Sequence, residues 1–175
     1  MKLGKKDLLA EVAPSLGEGS YAGRIASATI YMSENYEGTA MVPKIDFTWE
    51  TNEEDDDGDK ILLADNYIGL KRSNDNRCKL YIRLKPFVKN LDLRKGDIGL
   101  EGDFETLDDL PEGRDNATQL EDLTIDGESV FNKWALLSVD VNDRGYTDIV
   151  SVSKLPKGYK VPDDSDGDDD APVAP

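Results

Sequence analysis

Four side chains near the middle of the chain combine positive charge with an aromatic ring. If the segment is a strand, Lys79, Tyr81, Arg83 and Lys85 project from one face. Ammonium and guanidinium groups neutralise backbone phosphates, and a tyrosine ring gives a base a flat stacking surface worth about 1–3 kcal/mol per base. Phe87 extends the same surface by one ring. The pattern indicates a surface that binds one strand of nucleic acid.

The charge around these residues differs from that of the whole chain. The chain of 175 residues has a net charge of −16, yet residues 71–95 contain nine basic and two acidic side chains. Lys71, Arg72 and Arg77 belong to this segment and predict a flexible basic approach to the binding surface. A basic face is also typical of a solvated edge strand, where lysine and arginine prevent aggregation, so that interpretation stays open.

The chain lacks the residues that the most common catalytic mechanisms use. The chain has no histidine, which excludes Ser-His-Asp and Cys-His nucleophile systems and His-ligated zinc. It also has no phosphate-binding loop and no dinucleotide fingerprint. The acidic run 53–59 lacks a calcium loop's terminal glutamate, because Ala64 stands at that position. We therefore expect a protein that is not an enzyme and has no cofactor and no metal.

Segments that alternate apolar and polar residues predict a mainly β protein. Ile45, Phe47 and Trp49 share one face of such a segment, and residues 142–145 separate two others as a tight turn. We expect strands at 21–31, 42–50, 79–88, 97–105, 134–141 and 146–153, an apolar segment at 61–64, a short N-terminal helix at 5–13, and a helical turn at 117–123. Five or six short strands favour a small oligonucleotide/oligosaccharide-binding (OB-like) β-barrel, and a two-sheet sandwich fits the same pattern.

The chain divides into two parts of different composition. Residues 1–161 are expected to form the β domain, whereas 162–175 contain six aspartates with serine, glycine and proline. Such a tail buries too little apolar surface to offset chain entropy, so we predict that it is disordered. No segment has the length of a membrane span, and the N-terminus is not a secretory signal. The single Cys78 fits a reducing compartment, so we expect a cytoplasmic protein, of the host cell if a phage encodes it, with no membrane partner.

The layout resembles that of the single-stranded DNA-binding proteins of bacteriophages and bacteria. The Gly-Ser-Tyr-Ala-Gly-Arg-Ile opening strand (19–25), the basic aromatic segment and the Asp-rich C-terminus are similar to phage proteins of replication and recombination. The resemblance implies an OB-fold, bases stacked on aromatic rings, and an acidic tail that recruits replication or recombination proteins. The bacterial tails end in a hydrophobic pair with phenylalanine, whereas residues 171–175 contain no aromatic residue.

We therefore expect a sequence-tolerant single-stranded DNA-binding protein whose acidic tail modulates access to the basic surface. The expected contacts are Lys79, Arg83 and Lys85 with phosphates, Tyr81 and Phe87 with bases, and Lys71, Arg72 and Arg77 as an approach path. Two alternatives remain: an acidic mimic of DNA that inhibits a host enzyme, and a structural accessory domain of a phage. The sequence does not decide whether the chain forms a homo-oligomer.

Overall fold

An antiparallel sheet of eight strands dominates the computed structural model, which describes residues 16–95 and 98–161. The strands are β1 (Gly19–Glu34), β2 (Met41–Glu54), β3 (Lys60–Gly69), β4 (Ile98–Gly102), β5 (Thr118–Ile125), β6 (Glu128–Ser129), β7 (Trp134–Val141) and β8 (Thr147–Ser153). The helix of this part of the chain is α1 (Lys79–Leu84), between β3 and β4. The predicted helix at 5–13 and the tail 162–175 lie outside the described residues.

The long strand β1 organises the sheet. It pairs with β2 along most of its length, and β3 pairs with the far side of β2. On its other side, the first half of β1 pairs with β7 and the second half with β5. Ala26 is an extra residue between the pairs that Ile25 and Ser27 make with β2. This bulge shifts the inward face from Ile25 to Ala28, so the strict alternation predicted for 21–31 ends there.

The two ends of the sheet approach each other without joining. Within the described residues, β3 and β8 pair only with β2 and β7 respectively, so strand hydrogen bonds do not close the sheet into a barrel. β3 and β8 nevertheless lie close together, and α1 packs beside both. Over the described residues the fold is therefore mainly β, with an open antiparallel sheet and one short α-helix.

The core lies between the concave side of the sheet and α1. Ile45, Phe47 and Trp49 of β2 are buried there, as the alternation predicted. Leu84 of α1 and Leu137 of β7 are fully buried within the same cluster. Burial of such side chains is the main driving force that holds α1 against the sheet.

The strand predicted at 79–88 is wrong, because this segment forms α1 followed by a 3-10 turn at Lys85–Phe87. Over so few residues, alternation of basic and apolar side chains fits a helix as well as a strand. Leu80 and Leu84, four residues apart, both face the core from one side of the helix. Pro86 follows the last helical turn, where its missing N–H prevents continuation as an α-helix.

The helical turn predicted at 117–123 is also wrong, because these residues belong to β5. Leu120 and Leu123 are both buried although they lie three residues apart, a spacing that suggests a helix. A register shift opposite Glu101 and Gly102 lets both leucines face inward from a strand.

The remaining strand predictions are confirmed with small changes of boundary. The prediction 97–105 shortens to β4, and 146–153 begins one residue later as β8; the apolar segment 61–64 belongs to β3. The acidic run 53–59 covers the end of β2 and the tight turn to β3, where one carboxylate oxygen of Asp55 accepts backbone N–H groups from Asp57 and Asp59. Gly58 has a φ of 84°, which a glycine adopts without strain. No helix in 16–95 or 98–161 is long and apolar enough to cross a membrane.

Candidate nucleic-acid interface

Two cation-lined recesses flank α1. The first has a volume of about 460 Å³ and lies at the start of the helix; its lining residues include Lys71, Asp75, Arg77 and Lys79. The second, about 580 Å³, lies between the end of α1 and β8; its lining residues include Tyr81, Lys85, Lys89 and Lys154. These volumes are within the range of small-molecule sites.

The loop before α1 fixes the first recess. The Asp75 carboxylate accepts the backbone N–H of Arg77 at 2.8 Å and a guanidinium N–H at 2.7 Å. The side-chain hydrogen bond from Arg77 lowers the pKa of Asp75 to about 2. Asp75 therefore stays ionised and neutralises part of the charge of Arg77, whereas Lys71 is exposed and makes no ion pair within the described part of the chain.

The second recess has an apolar floor and a cationic rim. Ile82, Val88 and Val152 contribute to the floor, and no acidic side chain lines the recess. Lys85 and Lys89 on the rim are exposed, and the Lys85 ammonium lies 5.6 Å from the centre of the Tyr81 ring. The Tyr81 ring offers a stacking surface to a base, and the lysine ammonium groups on the rim offer positive charge to a phosphate.

Arg83 does not reach either recess, because it is 3 % exposed and bound inside the protein. Its Nε donates to Asp65 of β3 at 2.6 Å, and its Nη2 donates to the carbonyl of Ile149 in β8 at 3.0 Å. Asp65 also binds the Lys79 ammonium at 3.0 Å and accepts the Trp49 indole N–H at 3.2 Å. Arg83 thus links the two strands that the sheet leaves unpaired, and it is not available to a phosphate.

Phe87 also packs against the core. Its ring stacks on Trp49 with the centroids 6.2 Å apart and the planes inclined by 24°. Trp49 is fully buried, so Phe87 covers one side of the core instead of extending a stacking platform.

A second aromatic and cationic cluster surrounds Asp46 of β2 and Tyr67 of β3. Asp46 accepts the Tyr31 hydroxyl at 2.7 Å, the Tyr67 backbone N–H at 2.8 Å and Arg114 Nε at 2.7 Å. The Arg114 guanidinium lies 4.8 Å from the centre of the half-exposed Tyr67 ring, with Lys44 6.0 Å from it. Hydrogen bonds to Tyr67 and Asp46 raise the pKa of Arg114, which keeps its charge fixed.

Burial also affects the phenol in this cluster. Tyr31 is fully buried, and desolvation together with its hydrogen bond to Asp46 raises the pKa of the Tyr31 hydroxyl well above its usual value. The cluster therefore brings the Asp46 carboxylate together with a partly exposed tyrosine ring and two cations.

The structure separates the predicted contacts into four groups. Lys71, Arg77 and Lys79 line the first recess, Tyr81 and Lys85 line the second, and Arg72 is exposed beside them. Arg83 is buried, and Phe87 is partly buried against Trp49. Sequence reasoning omitted Lys89 and Lys154 from the contacts, and Lys154 is brought to α1 only by the return of β8. The basic residues at 154, 157 and 160 were the available signal in the sequence.

Comparisons of the chain with protein-family models, with curated proteins and with solved structures found no match.

Proposed function

We propose that this chain is a non-enzymatic, sequence-tolerant single-stranded DNA-binding protein that acts in phage DNA replication or recombination in the cytoplasm of the host cell. The observation that carries the proposal is the lining of the two recesses, which includes six cations and one acidic side chain. These cations are Lys71, Arg77, Lys79, Lys85, Lys89 and Lys154, and the acid is Asp75. Two of the six already have acidic partners, because Arg77 binds Asp75 and Lys79 binds Asp65. Such a concentration of cations within a chain of net charge −16 favours a polyanionic ligand.

The shape of the surface supports a single strand over a duplex. Tyr81 lies among the lysines of the second recess, where an unstacked base reaches the ring and its phosphates reach the rim. Duplex recognition typically places a helix in the major groove. The six residues of α1 span only about 9 Å, and the helix packs its apolar side against the sheet.

The order of the elements supports an OB-like barrel as the underlying fold. In this interpretation β1, β2 and β3 are the first three strands, α1 follows them, and β7 and β8 return to β1 as the last two. The Arg83 bridge between Asp65 and Ile149 takes the place of direct pairing at the seam. β4, β5 and β6 are then an insertion that extends the sheet beside the second half of β1.

The proposal includes regulation of DNA binding by the acidic tail. Residues 163–170 include six aspartates, and the described chain ends at Val161, seven residues after Lys154 of the second recess. We propose that the tail competes with DNA for the cations and recruits replication or recombination proteins. Competition of this kind lowers the apparent affinity for DNA and weakens as salt screens the charges.

Charge reversal on the recess tests the location of the site. Lys89→Glu combined with Lys154→Glu is expected to weaken binding of a labelled single-stranded oligonucleotide at least tenfold in fluorescence anisotropy. The matched control is Arg144→Glu in the exposed turn between β7 and β8, at the other end of β8 from Lys154. It changes charge in the same direction and is expected to leave affinity within about threefold. Equal losses at both places would contradict the proposed site.

The DNA-mimic alternative receives less support. A mimic presents carboxylates spaced along a structured face, whereas the acidic run of the described residues is crowded into the turn between β2 and β3. A DNA mimic also presents negative charge to its target, whereas these two recesses present lysine side chains and few acidic ones.

A further inference from the structure

The tip of the hairpin between β1 and β2 holds a tyrosine fully in solvent. Tyr36 is 101 % exposed, and the acidic side chains of Glu34 and Glu37 lie beside it in the chain, both exposed. A large ring held away from the protein costs solvation free energy, which is recovered when the ring is buried against a partner.

The tip is ordered by its own hydrogen bonds. The Asn35 side chain accepts the Thr39 backbone N–H at 2.9 Å and donates to the Thr39 hydroxyl at 3.1 Å. Two backbone bonds, from Asn35 to Ala40 and from Gly38 to Asn35, close the same turn. A preformed turn loses little conformational entropy on binding, so a side chain at its tip is suited to anchor a contact.

The second recess of α1 matches this tip in polarity and charge. Its floor is apolar, its rim contains Lys85, Lys89 and Lys154, and no acidic side chain lines it. The tip presents an aromatic ring between two carboxylates. An acid-flanked ring and a lysine-rimmed apolar recess are complementary in charge at close range, and salt screens the longer-range repulsion between the net charges.

A molecule cannot place its own tip in its own recess. The recess adjoins the end of β8, which pairs with the start of β7, and that part of β7 pairs with Ala22 of β1. Tyr36 lies 14 residues further along the same β-hairpin, which corresponds to roughly 40 Å of extended chain. The complementary patch must therefore come from a second molecule.

We propose that the Tyr36 tip of one copy docks in the second recess of another copy. The two patches differ, so a single contact leaves one tip and one recess unused, and further copies can add head-to-tail in rows. The contact does not depend on DNA binding, but it uses a recess of the proposed DNA site, so a bound strand and a docked tip compete for that recess. An interface of one side chain and its neighbours is small, which predicts a weak and transient contact.

The test is sedimentation velocity of the full chain without DNA, over a concentration series at 0.1 M salt. The wild-type protein is expected to show weight-average sedimentation that increases with concentration. Tyr36→Ser, the tip variant, and Lys89→Glu combined with Lys154→Glu, the recess variant, are each expected to weaken association at least tenfold. Tyr146→Ser is the matched control, because it removes another exposed tyrosine from a hairpin turn and is expected to change nothing.

Mixing the two variants separates this contact from other modes of association. The tip variant retains an intact recess and the recess variant retains an intact tip, so their mixture is expected to form pairs that cannot grow further. A contact between two identical patches, tip with tip or recess with recess, would gain nothing from mixing. Concentration-independent sedimentation of the wild type would overturn the proposal, as would unchanged association of the tip variant. The latter result would point to another occupant of the recess, such as the acidic tail of a second copy. Because this experiment contains no DNA, neither negative result bears on the proposed DNA binding, which the anisotropy titrations test separately.

Discussion

Replacement of Arg83 by methionine distinguishes a structural role from a DNA contact. The variant removes both donors that link Asp65 of β3 to the Ile149 carbonyl of β8, at 2.6 and 3.0 Å. Breaking a buried ion pair by removing one partner costs about 3–5 kcal/mol. Asp65 keeps Lys79 and the Trp49 indole N–H, so we expect the lower end of this range, about 3 kcal/mol.

This loss is large enough to measure by two methods. At about 2–4 °C per kcal/mol for a domain of this size, the melting temperature should fall by roughly 6–12 °C. Urea unfolding followed by tryptophan fluorescence gives the free energy directly. In anisotropy titrations at a temperature where the variant remains folded, the slope of log affinity against log salt should equal that of the wild type, because Arg83 meets no phosphate.

Lys85→Met on the same helix is the matched control. Lys85 is exposed on the rim of the second recess, so its replacement should change stability by less than about 0.5 kcal/mol. It should reduce the salt slope by about 0.7, the value for one phosphate contact with a single strand. The reasoning is refuted if Arg83→Met leaves stability unchanged and lowers the salt slope by that amount.

Three further predictions concern individual groups. In an NMR titration the Asp75 carboxyl should titrate near pH 2, and Arg77→Ala should raise its pKa part of the way to the ordinary range, because the backbone N–H of residue 77 still donates to it; an unchanged value would show that the side-chain hydrogen bond is not the main cause. The raised pKa of Tyr31 predicts a contribution to stability that is complete below about pH 10 and is lost as pH increases above it. In urea unfolding, Tyr31→Phe should therefore lose less stability than the wild type between pH 9 and 11, and parallel losses would contradict this assignment. Gly23→Val should cost about 1–3 kcal/mol in the same assay, because a Cβ at this position would lie 2.5 Å from Cδ1 of the buried Leu137; a neutral effect would mean that the core yields there.

Strands with regular alternation were the most predictable part of the fold. The inward face of β2, with Ile45, Phe47 and Trp49, follows directly from period two, because every second residue of an unbroken strand faces the core. Bulges broke this rule in β1 and β5. Their positions depend on which strands pair, and the sequence of one strand does not contain that information.

The helix α1 was mistaken for a strand because its six residues are too few to separate the two periods. Leu80 and Leu84 share a face in both conformations, and only the core that α1 covers decides between them. This error also misplaced the candidate site. In a strand Arg83 would point to solvent with Lys79 and Lys85, whereas in the helix it turns inward to Asp65.

Some residues of the candidate site could not be predicted from the sequence, because long-range strand pairing brings them to the site. The positive segment 71–95 was visible from composition, and most of its predicted contacts line the two recesses. Lys154 reaches the same surface from 65 or more residues away through β8, and Arg114 reaches Asp46 across a similar separation. Neither contact leaves a local pattern, since both depend on the order of strands in the sheet.

The salt dependence of single-strand binding tests the central claim most directly. A labelled single-stranded oligonucleotide is titrated with the full chain at several salt concentrations, with the same sequence as a duplex for comparison. If four to six of the recess cations meet phosphates, log affinity should fall with log salt at a slope of about −3 to −4, and the single strand should bind more tightly than the duplex. Absence of binding at low salt, or a slope near zero, would contradict the account.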